Sequence, residues 1–300
     1  MELVSTVAEV RKQIDLARKS DKTVGFVPTM GALHEGHMSL IRAAKRETWF
    51  VAVSLFVNPA QFGPSEDYRS YPRTLEDDLE LCKQEKVDVI FAPTAAEMYP
   101  DDYCTYIIQE RLTERLCGKS RPGHFNGVCT VVAKLLNIIQ PDIAYFGQKD
   151  YQQTVVIRRM IADLNMPITL RVLPTVREAD GLAISSRNRY LGEPNSPERW
   201  SATCLYRSLL RAEELVRQGE DSSRVILDEM TRIITQTPHA RIDFAAIVDP
   251  DTLEDVETVR STVVAALAVH VGRTRLIDNM MLTPRPAAVE AKSRKETRRE

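Results

Sequence analysis

The sequence predicts an α/β protein: a mostly parallel sheet with helices on both faces, followed by a smaller α+β unit. Two observations carry this. Through the first 176 residues, short apolar runs of strand character alternate with amphipathic runs of helical period, and parallel neighbours joined by crossover helices leave that signature. Past residue 176 the texture changes to a loop rich in Ser, Arg and Asn, then two helical runs, then β-rich runs.

The elements follow in order. A helix is expected over Val7–Arg18, then a strand at Thr23–Val27, punctuated by Pro28 and Gly31. Ser39–Lys45 carries helix-forming residues, so His34 and His37 fall at a helix start just after a strand. Trp49–Val57 reads as a buried strand, Leu75–Lys86 as an amphipathic helix and Val87–Ala92 as a short strand. The pattern continues with a strand at Tyr103–Gln109, a helix at Val128–Ile139, a strand at Ile143–Phe146, a helix at Tyr151–Leu164 and a strand at Ile168–Thr175. Helices at Pro197–Gln218 and Ser222–Thr235 and strands at Ile242–Val248 and Thr262–Val271 make up the second unit. The expected division is therefore 1–176 and 177–282. Residues 283–300, proline-containing, charged and poor in large apolar side chains, read as a mobile tail.

Composition narrows the partners. At 300 residues, 43% hydrophobic and 27% charged, the chain has interior enough for two modest domains. A formal net charge of -2 gives no reason to expect nucleic acid or an anionic membrane, so any anion must be bound locally. Five cysteines without a C-x-x-C pair suit core thiols in a reducing compartment rather than a disulfide framework. The start Met1–Ser5 lacks signal-peptide character and no apolar run reaches membrane-spanning length, so a cytoplasmic protein is expected.

Three runs carry candidate chemistry. In His34-Glu35-Gly36-His37 the imidazoles stand three apart, which places them on one helix face beside unpaired N–H groups and the positive end of the helix dipole. That suits a phosphate; a pair of partly buried structural histidines is the other reading. Zinc is disfavoured, because the metalloprotease helix needs a spacing of four. Gly147-Gln148-Lys149-Asp150 follows an apolar strand and opens a helix, offering close backbone approach, a point charge for phosphate and a carboxylate for ribose hydroxyls. It could equally be a turn with a solvated Lys and a capping Asp. Ile184-Ser185-Ser186-Arg187-Asn188 supplies hydroxyls and a guanidinium suited to an oligophosphate, or is ordinary loop chemistry. The first two runs fall at carboxyl ends of strands, where ligands of such sheets bind. Gly118-Lys119-Ser120 is not a P-loop, since Thr113 stands where that pattern needs Gly and the preceding Leu112–Cys117 reads as helix rather than strand.

Together and in this order the runs resemble the pantothenate synthetase family. The resemblance is strongest from about Thr23 to Leu191, and also includes Phe56-Val57-Asn58-Pro59-Ala60-Gln61-Phe62, Tyr71-Pro72-Arg73, Arg121-Pro122-Gly123-His124-Phe125-Asn126-Gly127-Val128 and Phe146. It implies a Rossmann-like nucleotidyltransferase domain, a smaller lid domain and a homodimer. It also implies ligation of pantoate and β-alanine with Mg²⁺ and ATP through a pantoyl adenylate. By position, Met30, Gly31, Ala32, Leu33, His34, Glu35, Gly36 and His37 would cradle ATP, with both histidines on the phosphates and His37 as proton donor. Lys149, Ser185, Ser186 and Arg187 would complete the phosphate clamp, next to Ile184, where the family often has Met or Leu. Gly147, Gln148, Asp150 and Val176 would hold the nucleoside, Gln61 and Gln153 pantoate, and Asn58 the acyl or amine end. Without the resemblance, Asn58-Pro59 reads as a turn and Gln153 as a solvated helical residue. No side chain stands out as a metal ligand. Asp77 and Asp78 on the 75–86 helix could reach a magnesium shell but read rather as a solvated face, and Mg²⁺ is expected to ride mainly on ATP. The alternatives are another H-x-x-H nucleotidyltransferase forming an adenylated product, and a nucleotide sensor without turnover.

Overall fold

The computed structural model describes residues 1–64, 66–193 and 195–285, so the tail expected at 283–300 lies, from 286 on, outside the described residues. The first unit opens with β1 (Glu2–Val4) and α1 (Val7–Arg18), where Thr6 and Glu9 satisfy each other's backbone N–H groups in a capping box. Then come β2 (Val24–Thr29), α2 (Glu35–Glu47), β3 (Phe50–Leu55), α3 (Leu75–Gln84), β4 (Val89–Phe91) and the short α4 (Ala95–Met98) and α5 (Cys117–Ser120). The apolar α6 (His124–Ile139), β5 (Ile143–Gly147), α7 (Tyr151–Asp163) and β6 (Thr169–Leu173) complete it.

The six strands pair in parallel in the order β1-β4-β3-β2-β5-β6. After β2 the chain builds one side of the sheet through β3 and β4, then crosses back to add β5 on the other flank of β2. Strand order therefore reverses at β2/β5, and a crevice opens beyond their carboxyl ends. Both faces are covered, which explains the continuous apolar runs. Val24 and Phe26 pack with α1, α6 and α7, while Val27, Val51 and Val53 point the other way against Met38 and Ile41 of α2.

The second unit comprises α8 (Pro197–Ala202), α9 (Cys204–Gln218), α10 (Ser223–Thr235) and an antiparallel sheet β7 (Ala240–Val248), β8 (Val263–Val271), β9 (Thr274–Leu282). Its own core centres on Leu205, Leu209, Ile226, Met230 and Val269. A separate apolar seam of Val155, Val248, Leu253 and Val264 joins α7 to this sheet.

Several expectations are corrected. Tyr103–Gln109 forms no strand among the described residues: Ile107 N–H donates instead to Thr130 Oγ1 of α6. Of Leu112–Cys117 only Cys117, which opens α5, is helical; residues 112–116 form turns and bends, with Arg111 and Leu116 at positive φ. No strand precedes Gly118 there, so the P-loop remains excluded. Pro197–Gln218 is broken at Thr203, whose N–H and Oγ1 both bond to the Trp200 carbonyl in a tight three-residue step. Cys104 is exposed, whereas the other four thiols are buried as expected. The sequence reading missed β1, three residues long, and β9, whose mixed pattern hides its strand character.

Candidate active site

At the β2/β5 crevice lies a cavity of about 220 Å³ that contains residues from all three candidate runs. It is lined by Met30, Gly36 and both histidines from the first run and by Gly147, Lys149 and Asp150 from the second. Ile184, Ser185, Ser186 and Arg187 come from the third, and Asn58, Gln61, Gln153 and Val176 complete the expected set. Through Lys149, Asp150, Ser185 and Arg187 it adjoins an interdomain cleft of about 1060 Å³. The other expected residues, Gly31, Ala32, Leu33, Glu35 and Gln148, do not line the cavity. Glu35 pairs with Arg42, and Gln148 reaches toward Asn279.

The turn from β2 into α2 is built against its own preferences. Gly31 and Ala32 adopt successive φ angles of 80° and 49°, and only the first position suits its residue. Asp78 of α3 holds this turn, its carboxylate accepting N–H from Ala32 at 2.9 Å and Leu33 at 2.7 Å. The expected solvated face is thus wrong for Asp78, which is 2% exposed and whose burial raises its pKa. With both oxygens committed to backbone, it is not a free ligand for a cation.

His34 caps α2 and His37 occupies its first turn, with ring centroids 4.0 Å apart. The His34 N–H donates to His37 Nδ1 at 3.3 Å, while His34 Nδ1 is buried without a partner among the described residues. Burial, reinforced by Lys149, pushes the His34 pKa down to about 4. Burial, with His34 and Lys149 nearby, holds His37 well below the ordinary imidazole range. Both rings are neutral near pH 7, so they act as hydrogen-bonding groups. Lys149 supplies the cation, its Nζ 3.9 Å from Asp150.

Arg187 makes a bidentate pair with Asp67 at 2.9 and 2.8 Å and stacks over Tyr71, whose hydroxyl lies 3.0 Å from Ser186 Oγ. Neighbouring Glu66 pairs with Arg121 at 2.7 and 2.5 Å, and Arg121 also reaches His124 Nε2 at 2.9 Å. That contact makes Nε2 the acceptor, so Nδ1–H donates to the Gln61 carbonyl at 2.8 Å. Consistently, burial and the adjacent Arg121 bring the His124 pKa down to about 4. The segment from Glu66 to Tyr71, which lines the cavity at Tyr71 and the adjoining cleft at Glu66, Asp67 and Ser70, is thus held by two arginines.

The amides are oriented by their neighbours. Asn58, 1% exposed, accepts from Tyr99 OH at 2.9 Å and from Ala60 N–H at 3.2 Å. Its Nδ2 donates to the Gly127 carbonyl and to Gln61 Oε1, each at 3.1 Å. Gln61 Oε1 is therefore the acceptor, and its NH₂ faces the cavity, 3.1 Å from Met30 Sδ. Gly127 permits this packing: a Cβ there would stand 2.1 Å from the Ala60 carbonyl oxygen.

Sequence reasoning gave no role to Glu66, Asp67, Tyr71, Tyr99, Arg121, His124 or Asn279. The Arg187–Asp67 contact spans 120 residues, and nothing local to either residue announces it. Of these only Tyr71, Arg121 and His124 lay in runs already singled out.

The arrangement offers a cation, two neutral imidazoles, hydroxyls and a guanidinium around one cavity, next to amides with fixed polarity. It can hold a triphosphate and a small polar acid side by side. Residues 2–281 match the family described as Pantoate-beta-alanine ligase. The chain is 56% identical to Pantothenate synthetase of Moorella thermoacetica over 283 residues, 94% of this chain and 99% of that one. It is 54% identical to Pantothenate synthetase of Thermosipho africanus, over 94% of this chain and 100% of that one. Among solved structures it is similar to Pantothenate Synthetase from Thermus thermophilus, with TM-score 0.89, 46% identity and coverage of 95% and 100%. It is also similar to Pantoate-beta-alanine Ligase from Francisella tularensis complexed with Beta-gamma ATP and Beta-alanine, with TM-score 0.76, 34% identity and coverage of 94% and 97%.

Proposed function

The chain belongs to the pantoate-beta-alanine ligase family, and on that premise we propose how its cleft performs the reaction. The enzyme is an ATP-dependent ligase that joins pantoate to β-alanine, which sets aside both the other H-x-x-H nucleotidyltransferases and the sensor. The reaction runs in two steps. A pantoate carboxylate oxygen attacks the α-phosphorus of ATP and pyrophosphate leaves, giving pantoyl adenylate; the β-alanine amine then attacks the acyl carbon, sheds a proton and expels AMP.

The nucleoside lies along Gly147, Asp150 and Val176, with Met30 and Gly36 beside it, while Gly31, Ala32, Leu33, Glu35 and Gln148 shape the two turns from outside the cavity. His34, His37, Lys149, Ser185, Ser186 and Arg187 surround the phosphates. A carboxylate nucleophile needs no base, so the rate comes from placing donors where charge moves during displacement. Of the two imidazoles His37 is the donor, offering its Nε2 hydrogen to the phosphates. Gln61 and Gln153 hold pantoate, and Asn58 serves the acyl or amine end through Gln61. Mg²⁺ would come with ATP and offset phosphate charge, with no side chain of the cavity assigned to it.

Residues 1–176 act as the nucleotide-binding and catalytic unit and 177–282 as the lid. Five free thiols suit a reducing cytoplasm, and the exposed Tyr106 and Ile108 on the unpaired 103–109 segment suit a homodimer. The observation that carries the mechanism is the meeting of His34, His37 and Lys149 in one cavity at the β2/β5 strand ends. The test is pantoate-dependent exchange of labelled pyrophosphate into ATP. Exchange without β-alanine, and AMP release on adding it, is expected; tight ATP binding with no exchange overturns the two-step reading.

A further inference from the structure

The turn that carries Lys149 is gripped from behind by the other unit. Asn279, on β9, is 3% exposed, and its Nδ2 lies 2.9 Å from the carbonyl oxygens of both Gln148 and Lys149. Gln148 Nε2 reaches back to Asn279 Oδ1 at 3.4 Å. A primary amide has two N–H donors, and here they meet two successive carbonyls; no carboxylate could replace it, and a hydroxyl has only one hydrogen.

Asn279 is itself held. Its N–H donates to Asp278 Oδ1 at 2.8 Å, and Asp278 receives Arg177 at 2.6 and 3.0 Å. The Arg177 guanidinium lies 4.4 Å from the centre of the Tyr206 ring on α9. The chain from α9 through Arg177 and Asp278 to Asn279 thus ends on the backbone of Gln148–Asp150, a single 3₁₀ turn at the head of α7. A 3₁₀ turn this short takes part of its orientation from the groups outside it that bond its carbonyls.

We infer that Asn279 is a positioning residue for adenylation: through the carbonyls of Gln148 and Lys149 it aims the Lys149 ammonium into the phosphate site. The inference rests on the reading of Lys149 as a phosphate donor given above. It makes the second unit part of the first chemical step rather than a cover alone, because β9 must be docked for Lys149 to be aimed.

The test is a double-mutant cycle on the full-length enzyme, read as pantoate-dependent pyrophosphate exchange. Asn279→Ala is expected to lower exchange by roughly tenfold to thirtyfold, as the loss of two buried hydrogen bonds implies. In a Lys149→Ala background the same substitution is expected to cost less than about twofold, since the group it aims is gone. Aminolysis of supplied pantoyl adenylate by β-alanine, which does not use the triphosphate, is expected to change by less than about threefold. Losses that multiply across the cycle, or equal losses in both half-reactions, overturn the inference and leave Asn279 with a general structural role. Near-normal exchange in Lys149→Ala alone overturns both this inference and the assignment of Lys149, and is recognised without touching residue 279. Should Asn279→Ala fail to fold, Asn279→Ser, with one donor too short to reach both carbonyls, replaces it in the cycle with the same expectations.

Discussion

The backbone N–H of His34 meets Nδ1 of His37 at 3.3 Å, so the neutral His37 ring carries its hydrogen on Nε2 and presents it as a donor. For His37→Ala, pantoate-dependent exchange is expected to fall by on the order of a hundredfold, as for loss of a donor to a charged transition state. His37→Gln, whose amide nitrogen can stand near Nε2, is expected to retain more activity than His37→Asn, which reaches only the Nδ1 position. Equal activity of the Gln and Asn variants contradicts the tautomer.

The histidines also set an acid limit. Burial depresses His34 and His124 to about 4 and holds His37 well below the ordinary value, so the folded chain refuses protons that the unfolded chain accepts. Stability is expected to be full above the unfolded imidazole pKa of about 6.5 and to fall as the pH drops from there toward about 4. Denaturant midpoints measured across that range check the slope, which His124→Gln is expected to reduce.

Tyr99 does not line the cavity, yet its hydroxyl helps fix the amide of Asn58 and, through it, that of Gln61. Tyr99→Phe is expected to raise the KM for pantoate by roughly fivefold, about 1 kcal/mol, with the KM for ATP unchanged. Steady-state kinetics with each substrate varied in turn decide it; an effect confined to ATP counts against the chain of amides.

How far the sequence could be read follows from the range of each interaction. The β2/β5 crevice and the three runs around it were legible, because apolar period, Pro28, Gly31 and Gly147 are local signals. Asp78 was misread because its neighbours Glu76 and Asp77 are polar and exposed, as a solvated helix would have them, and the backbone N–H groups it accepts from lie more than forty residues upstream. Tyr103–Gln109 has the alternating aromatic and β-branched character of a strand, but whether a run pairs depends on an edge supplied elsewhere, and here α6 takes its N–H. Glu66 and Asp67 gained meaning only from arginines far along the chain.

Asp78 yields a further prediction. Asp78→Ala strands two buried backbone N–H groups and releases a turn held at positive φ, and is expected to cost about 2 kcal/mol in urea unfolding. The KM for ATP is expected to rise while that for pantoate holds. Asp78→Asn, which keeps one acceptor oxygen, is expected to fall between Ala and the parent in both measurements.

Because Asn279 bonds directly to the backbone of the turn bearing Lys149, mechanical information must pass both ways across the seam between the two sheets. Nucleotide occupying the crevice should slow amide hydrogen exchange in β9, which holds that turn and whose Thr274–Asp278 also line the adjoining cleft. A ligand that jams β9 from the far side would inhibit without ever competing for the crevice.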